Sequence, residues 1–169
     1  MQQAAPCSQE AHKWFSIFGE LWLQNLILAT SAIIAIWTLR STAKQERRRA
    51  TVDSVRDQMK NEELIKARAV IRPLRHAPLD FINLARVGNE GDPVRQAVLT
   101  LLNSYEFMAT GLREGAFDEQ TYRRMYAVNA LRDWAFLFPF IQILQERVGP
   151  TVYREFAMLI ERWKEHPLD

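Results

Sequence analysis

The sequence predicts an all-α protein: an N-terminal transmembrane helix that continues into a stalk, followed by a small cytoplasmic helical bundle. Three observations carry that expectation. Residues 21–39 contain no Asp, Glu, Lys or Arg, in a chain of 169 residues of which 25% are charged. Downstream, apolar residues recur at helical spacing and no stretch alternates with a period of two. The joints between these stretches carry helix-start chemistry, above all Asp92-Pro93 and Asp118.

The first element reads LWLQNLILATSAIIAIWTL, bounded by Glu20 and Arg40. At a rise of about 1.5 Å per residue, roughly 19 helical residues reach about 28 Å, close to the hydrocarbon thickness of a bilayer. Thr30, Ser31 and Thr38 can bond their hydroxyls back to the helix's own carbonyls. Gln24 and Asn25 lie near one end, where headgroups and water solvate them. Trp14, Phe15, Phe18 and Trp22 cluster at one boundary and Trp37 marks the other, as interfacial aromatic belts do. A soluble core helix of this length without a charge is unusual. A cleaved signal peptide fits poorly: few cations precede the apolar run, and the small residues from Ala29 to Ala35 lie inside it. Cys7 follows Ala-Ala-Pro with no apolar run before it, so a lipoprotein anchor does not fit either. The expectation is an uncleaved signal anchor.

Orientation follows from the flanking cations. Lys13 and His12 precede the span, with Glu10 and Glu20, whereas Arg40, Lys44, Arg47, Arg48 and Arg49 follow it. The excess places the C-terminal side in the cytoplasm. Residues 1–20 then form a short extracytoplasmic segment of a single-pass protein in a bacterial inner membrane. The same five cations are expected to contact lipid headgroups. With a formal net charge of +2, a nucleic-acid partner is not expected.

Residues 40–72 hold no Gly or Pro and few apolar side chains, and read as a polar helical stalk or one strand of a self-associating pair. Pro73 and Pro78 should break it, opening a cytoplasmic domain over 73–169. A short helix is expected over 79–87, stopping at Gly88. After Asp92-Pro93, Val94, Val98, Leu101, Leu102, Tyr105, Met108, Ala109 and Leu112 fall on one face, marking the central core helix, whose end Gly111 and Gly115 weaken. Asp118 should cap the next helix, with Tyr122, Met125, Tyr126 and Trp134 inward and a kink or stop at Pro139. A further helix runs to Val148, and Gly149-Pro150 opens the last one, with Val152, Phe156, Leu159, Ile160 and Trp163 inward.

The catalytic chemistry is sparse. His12, His76 and His166 are scattered, and no His, Cys or carboxylate pair has metal-ligand spacing, so neither a metal nor a cofactor is expected. A single cysteine rules out an internal disulfide. No nucleophile lies near a candidate base, and glycine loops for phosphate are missing. Two features stand out. In Asn103-Ser-Tyr105-Glu106, Tyr105 is on the apolar stripe and Glu106 at its edge, in reach of an arginine such as Arg123, Arg124 or Arg132. In Arg132-Asp133-Trp134, a charged pair precedes a large aromatic. Both read first as packing and register-fixing groups, with Asn103, Tyr105, Glu106, Arg124 and Trp134 as the ligand-contact candidates. Ser31 and Ala35 give a small-x-x-x-small spacing that favours self-association of the span.

The stretch from Leu101 to Met125 resembles a family of bacterial and phage single-pass membrane proteins whose domain has no assigned function. The resemblance rests on Leu102, Asn103, Tyr105, Glu106, Gly111, Gly115, Asp118 and Glu119, with Trp134, the Pro139 region, Phe156, Leu159, Arg162 and Trp163 also similar. It covers about three-quarters of the chain. What it implies is an N-terminal membrane helix, an Arg-rich stalk and a helical domain; it implies no activity.

The expected role is a non-enzymatic, membrane-anchored interaction module that recruits a protein partner, with homo-oligomerisation as a further association. One alternative is a membrane-perturbing effector whose spans oligomerise, with Gln24, Asn25, Thr30, Ser31 and Thr38 lining the assembly. The other is an enzyme with a carboxylate site formed by Glu106, Asp118 or Glu119.

Overall fold

The structure, a computed structural model, describes residues 7–86 and 88–166, with side chains in the first helix from Trp22 onward. Its elements are helices α1 (Cys7–Lys60), α2 (Glu62–Leu74), α3 (Phe81–Ala85), α4 (Pro93–Arg113), α5 (Glu119–Val148) and α6 (Arg154–Glu165). No strand occurs among the described residues. The chain divides into two compact units, Met1–Gln45 and Glu46–Asp169.

In the first unit, every side chain from Trp22 to Arg40 is exposed, Ile33 at 67% and Leu39 at 71%. By length and composition this part of α1 could cross a membrane, and none of its apolar window is buried. The hydroxyls of Thr30 and Thr38 donate to the carbonyls of Leu26 and Ile34, each at 2.8 Å, so neither needs an outside partner. Trp14, Phe15 and Phe18, with Glu10, His12, Lys13 and Glu20, lie outside the described side chains.

The second unit corrects the expected stalk over 40–72. Thr51, Val55, Leu64, Ala67 and Ile71 are buried. The hydroxyl of Thr51 donates to the Arg47 carbonyl and accepts the Asp118 amide, both at 2.7 Å, tying α1 to the start of α5. This region is half bundle, because sparse apolar residues suffice where they all fall on one face. Nor is it one helix. Asn61 leaves helical geometry, and its side chain accepts from the Leu64 amide at 3.0 Å, with Glu62 and Glu63 in the first turn of α2. Pro73 sits in the last turn of α2, one residue short of its end.

Core formation centres on α4, as its periodicity predicts. Val98, Leu101, Leu102, Tyr105, Met108, Ala109 and Leu112 are buried and Val94 is half-buried. The helix packs against α2, α3, α5 and α6. Asp92 caps its start by accepting from the amides of Val94 and Arg95. Its end is a Schellman turn. The Ala116 amide donates to Gly111 and the Gly115 amide to Leu112, with Gly115 at φ 71°. The ring of Phe117 folds onto Gly111, where a Cβ would lie 2.3 Å from ring carbon Cε2.

Four further expectations shift. The short helix is α3 alone, five residues long, and Val87 lies outside the described residues. Pro139 neither ends nor splits α5, which runs unbroken to Val148. Pro139 and Ala135, whose carbonyl loses its helical donor, are both on the exposed face, where water can replace that bond. Gly149-Pro150 opens a turn, and α6 starts four residues later, at Arg154. Met125, expected inward, is 41% exposed, whereas Tyr122, Tyr126 and Trp134 are buried. Val152 is half-buried.

Candidate functional site

One turn of α4 holds the sequence's most conspicuous polar group, and the structure shows what it grips. Tyr105 is 3% exposed, and its ring stacks on Phe156 of α6 at 4.6 Å with planes 5° apart. Its hydroxyl donates to Asp133 Oδ2 of α5 at 2.8 Å. The other carboxylate oxygen of Asp133 takes the guanidinium of Arg75, the residue that ends α2. Helices α2, α4, α5 and α6 are thereby joined through one buried cluster. Burial, reinforced by the charge and hydrogen bond of Asp133, raises the Tyr105 phenol well above its ordinary pKa. It stays protonated and acts as a fixed donor.

The same turn holds the start of α6. Tyr153, the residue before that helix, has φ 55° and no capping side chain of its own. Glu106 supplies the cap from α4: Oε1 accepts from the Glu155 amide at 3.2 Å and Oε2 from the Phe156 amide at 2.8 Å. A carboxylate there satisfies two orphan amides and meets the positive end of the helix dipole. Asn103 completes the grip, its Oδ1 accepting from the Tyr153 hydroxyl at 3.1 Å. Burial, with the nearby charge of Glu106, pushes the Tyr153 phenol up to about 12.

The arginine expected to meet Glu106 is therefore corrected to two backbone amides. Arg124 is exposed and away from this turn's bonds. Arg123 instead donates to the Trp163 carbonyl at 3.3 Å and lies 6.0 Å over its ring. Arg132 donates to Asn129 at 2.7 Å and stands 4.0 Å from Asp133. Trp134 is buried edge-on against Phe156 at 5.2 Å and tilted against Phe138 at 5.3 Å. Sequence spacing placed Asn103, Tyr105 and Glu106 together, but not Arg75, which lies 58 residues from Asp133. A cation just after a helix end is the one local hint it offered.

The remaining carboxylates of interest serve helix ends and rings. Asp118 caps α5 through the amide and hydroxyl of Thr121, at 2.9 and 2.6 Å, with Arg48 at 3.9 Å. Glu119 accepts the Trp163 indole N–H at 2.9 Å and pairs with Arg162 at 3.2 Å. Of the five flanking cations, Arg48 thus reaches Asp118, and the Arg47 guanidinium lies about the Gly115 turn. Arg40, Lys44 and Arg49 are exposed. No group of three metal-binding side chains forms among the described residues.

Concave surfaces among the described residues include two lined by charged side chains of the bundle. One, of 660 Å³, runs between α1, α2 and α4 and is lined by Asp53, Asp57, Asn61, Glu63, Asn103 and Phe107, among others. The second, of 530 Å³, is lined by Arg72, Arg75, His76, Arg132 and Phe136.

Fold and site together define an all-helical domain with one exposed apolar helix, in which the prominent polar groups hold helices to one another. The chain belongs to the family described as a domain of unknown function, DUF4760, which matches residues 25–163. That match starts inside the apolar stretch and ends at Trp163, so the apolar helix and the bundle fall within one family domain. No curated protein and no solved structure matches the chain.

Proposed function

We propose that this chain is a membrane-anchored, non-enzymatic interaction module. It crosses a bacterial inner membrane once, N-terminus outside, and presents its helical domain to cytoplasmic protein partners. One observation carries the reading: from Trp22 to Leu39 the helix is uncharged and exposed on every face, a surface that water disfavours and lipid solvates. The cation excess after that stretch supports the orientation. Within the bundle, Glu106, Asp118 and Glu119 are each engaged in a different helix-holding bond, which favours binding over carboxylate catalysis. The hydroxyls of Thr30 and Thr38 are turned back onto their own helix, which weighs against a pore lined by them.

The test is fractionation of cells expressing the full chain, with an alkaline carbonate wash. Retention in the washed membrane pellet is the expected result. Protease added to intact spheroplasts should leave the C-terminal domain uncut, and crosslinking should then capture a stoichiometric partner. Full-length protein in the high-speed supernatant would overturn the anchor. Digestion of the domain from outside would overturn the orientation.

A further inference from the structure

The second concave surface is lined by more positive charge than the fold uses. Arg72 and Arg75 come from the end of α2, His76 follows them, and Arg132 and Phe136 face them from α5. Arg75 is bound to Asp133, which is 3% exposed and also takes the Tyr105 hydroxyl. Asp133 adjoins this wall only through Arg75 and, at 4.0 Å, Arg132. No acidic residue is among those lining the cavity itself. Three guanidinium groups against one buried carboxylate leave two positive charges in excess, in a recess where field lines concentrate.

The donors open to this recess are those of Arg72 and Arg132, both exposed lining residues. Among the described residues no carboxylate pairs with Arg72. Its place in the last turn of α2 meets the negative end of the helix dipole, but that end does not need Arg132 from another helix. Phe136, half-buried and packed edge-on to Phe81 at 5.6 Å, forms an apolar side to the recess.

The geometry points to a binding site for a phosphate-bearing ligand, a phosphomonoester dianion whose charge matches the two excess cations. Guanidinium forks bind phosphate oxygens in pairs, and a tetrahedral dianion can accept from several forks at once. Phe136 lines the same recess and offers an apolar side to a substituent on the phosphate. This chemistry is shared by a lipid headgroup of the phosphatidic-acid type and by a soluble phosphate monoester.

Calorimetric titration of the full-length protein in non-ionic detergent with inorganic phosphate, ionic strength held constant with chloride, tests it. Saturable binding is expected. The double variant Arg72→Gln/Arg132→Gln should weaken it by about tenfold or more, the loss of charge-assisted hydrogen bonds. Both residues are exposed, so the fold should survive, which circular dichroism checks. Arg124→Gln, an exposed arginine away from the recess, should bind like the parent. Repeating the titration in phosphatidylcholine nanodiscs with and without phosphatidic acid identifies the source. Loss of the phosphate heat when phosphatidic acid is present assigns the site to a headgroup; its persistence assigns it to a soluble ligand. Absent saturable binding, or equal binding by the double variant, overturns the site. Membrane retention is untouched by that result, so the anchor and the site fail separately.

Discussion

Two clusters of charged residues lie side by side in the bundle and behave differently. Around Tyr105, the carboxylates find their partners inside the fold: Asp133 takes Tyr105 and Arg75, and Glu106 takes two amides of α6. Around Arg72 and Arg132, guanidinium groups face an open recess with no acid among its lining residues. The contrast separates two uses of charge. Groups that satisfy one another specify how helices meet, and a buried set of that kind is hard to alter piecemeal. Groups held beside a cavity with cations in excess of carboxylates are open to solutes from outside the chain.

Substitution should separate the two clusters by stability, beginning with the largest effect. Asp133→Ala leaves Arg75 without its carboxylate in a poorly hydrated site, and unfolding free energy should fall by about 3–5 kcal/mol. Chemical denaturation of the detergent-solubilised full chain reads this directly, and a loss under about 1 kcal/mol would mean the pair is exchangeable with solvent. Glu106→Ala strips two amides of their acceptor and should cost about 1–3 kcal/mol. Glu106→Gln, keeping one acceptor oxygen, should recover part of that. If Gln were as damaging as Ala, the charge at the helix start, and not the hydrogen bonds, would be the main contribution.

Alkali offers a third probe. Tyr105, Tyr122 and Tyr153 all titrate above the ordinary tyrosine value of 10.0 in the folded protein, first because of burial. Below pH 10 all three are protonated in both folded and unfolded chains, so their contribution is fully present. Above it the unfolded chain releases protons that the folded chain keeps, and stability falls by up to about 1.4 kcal/mol per pH unit for each tyrosine. For Tyr153 the decline ends near its folded value of about 12. A denaturation midpoint that stays level from pH 9 to pH 11 would contradict this account of their burial. The smallest effect belongs to the recess: Arg72→Gln should change stability by no more than about 0.5 kcal/mol. A large loss there would place Arg72 with the structural cluster.

How much of this was legible beforehand depends on range. The buried face of α4 could be read because helical periodicity and the Asp92-Pro93 start are local signals. Asn103, Tyr105 and Glu106 could be picked out as a group for the same reason. Their partners could not. The donors that matter are the amides of residues 155 and 156 and the guanidinium of Arg75, and a backbone amide has no signature in sequence. The break at Asn61 was readable in principle, since an Asn followed by two glutamates is a helix start. It was masked by the high helix propensity on both sides. Pro139 misled in the other direction, because its effect depends on whether the freed carbonyl faces water, which no local pattern records.

The placement of α6 has a consequence for how the protein is made. Phe156, Leu159, Ile160 and Trp163 are fully or almost fully buried, and Phe156 covers both Tyr105 and Trp134. Before those residues leave the ribosome, the earlier helices present an open aromatic floor, and only the Asn103 side chain is there to hold Tyr153 in its left-handed conformation. The nascent chain must therefore wait for α6 before the core can close. A stop codon ahead of Phe156 would yield a sticky intermediate, not a smaller stable domain.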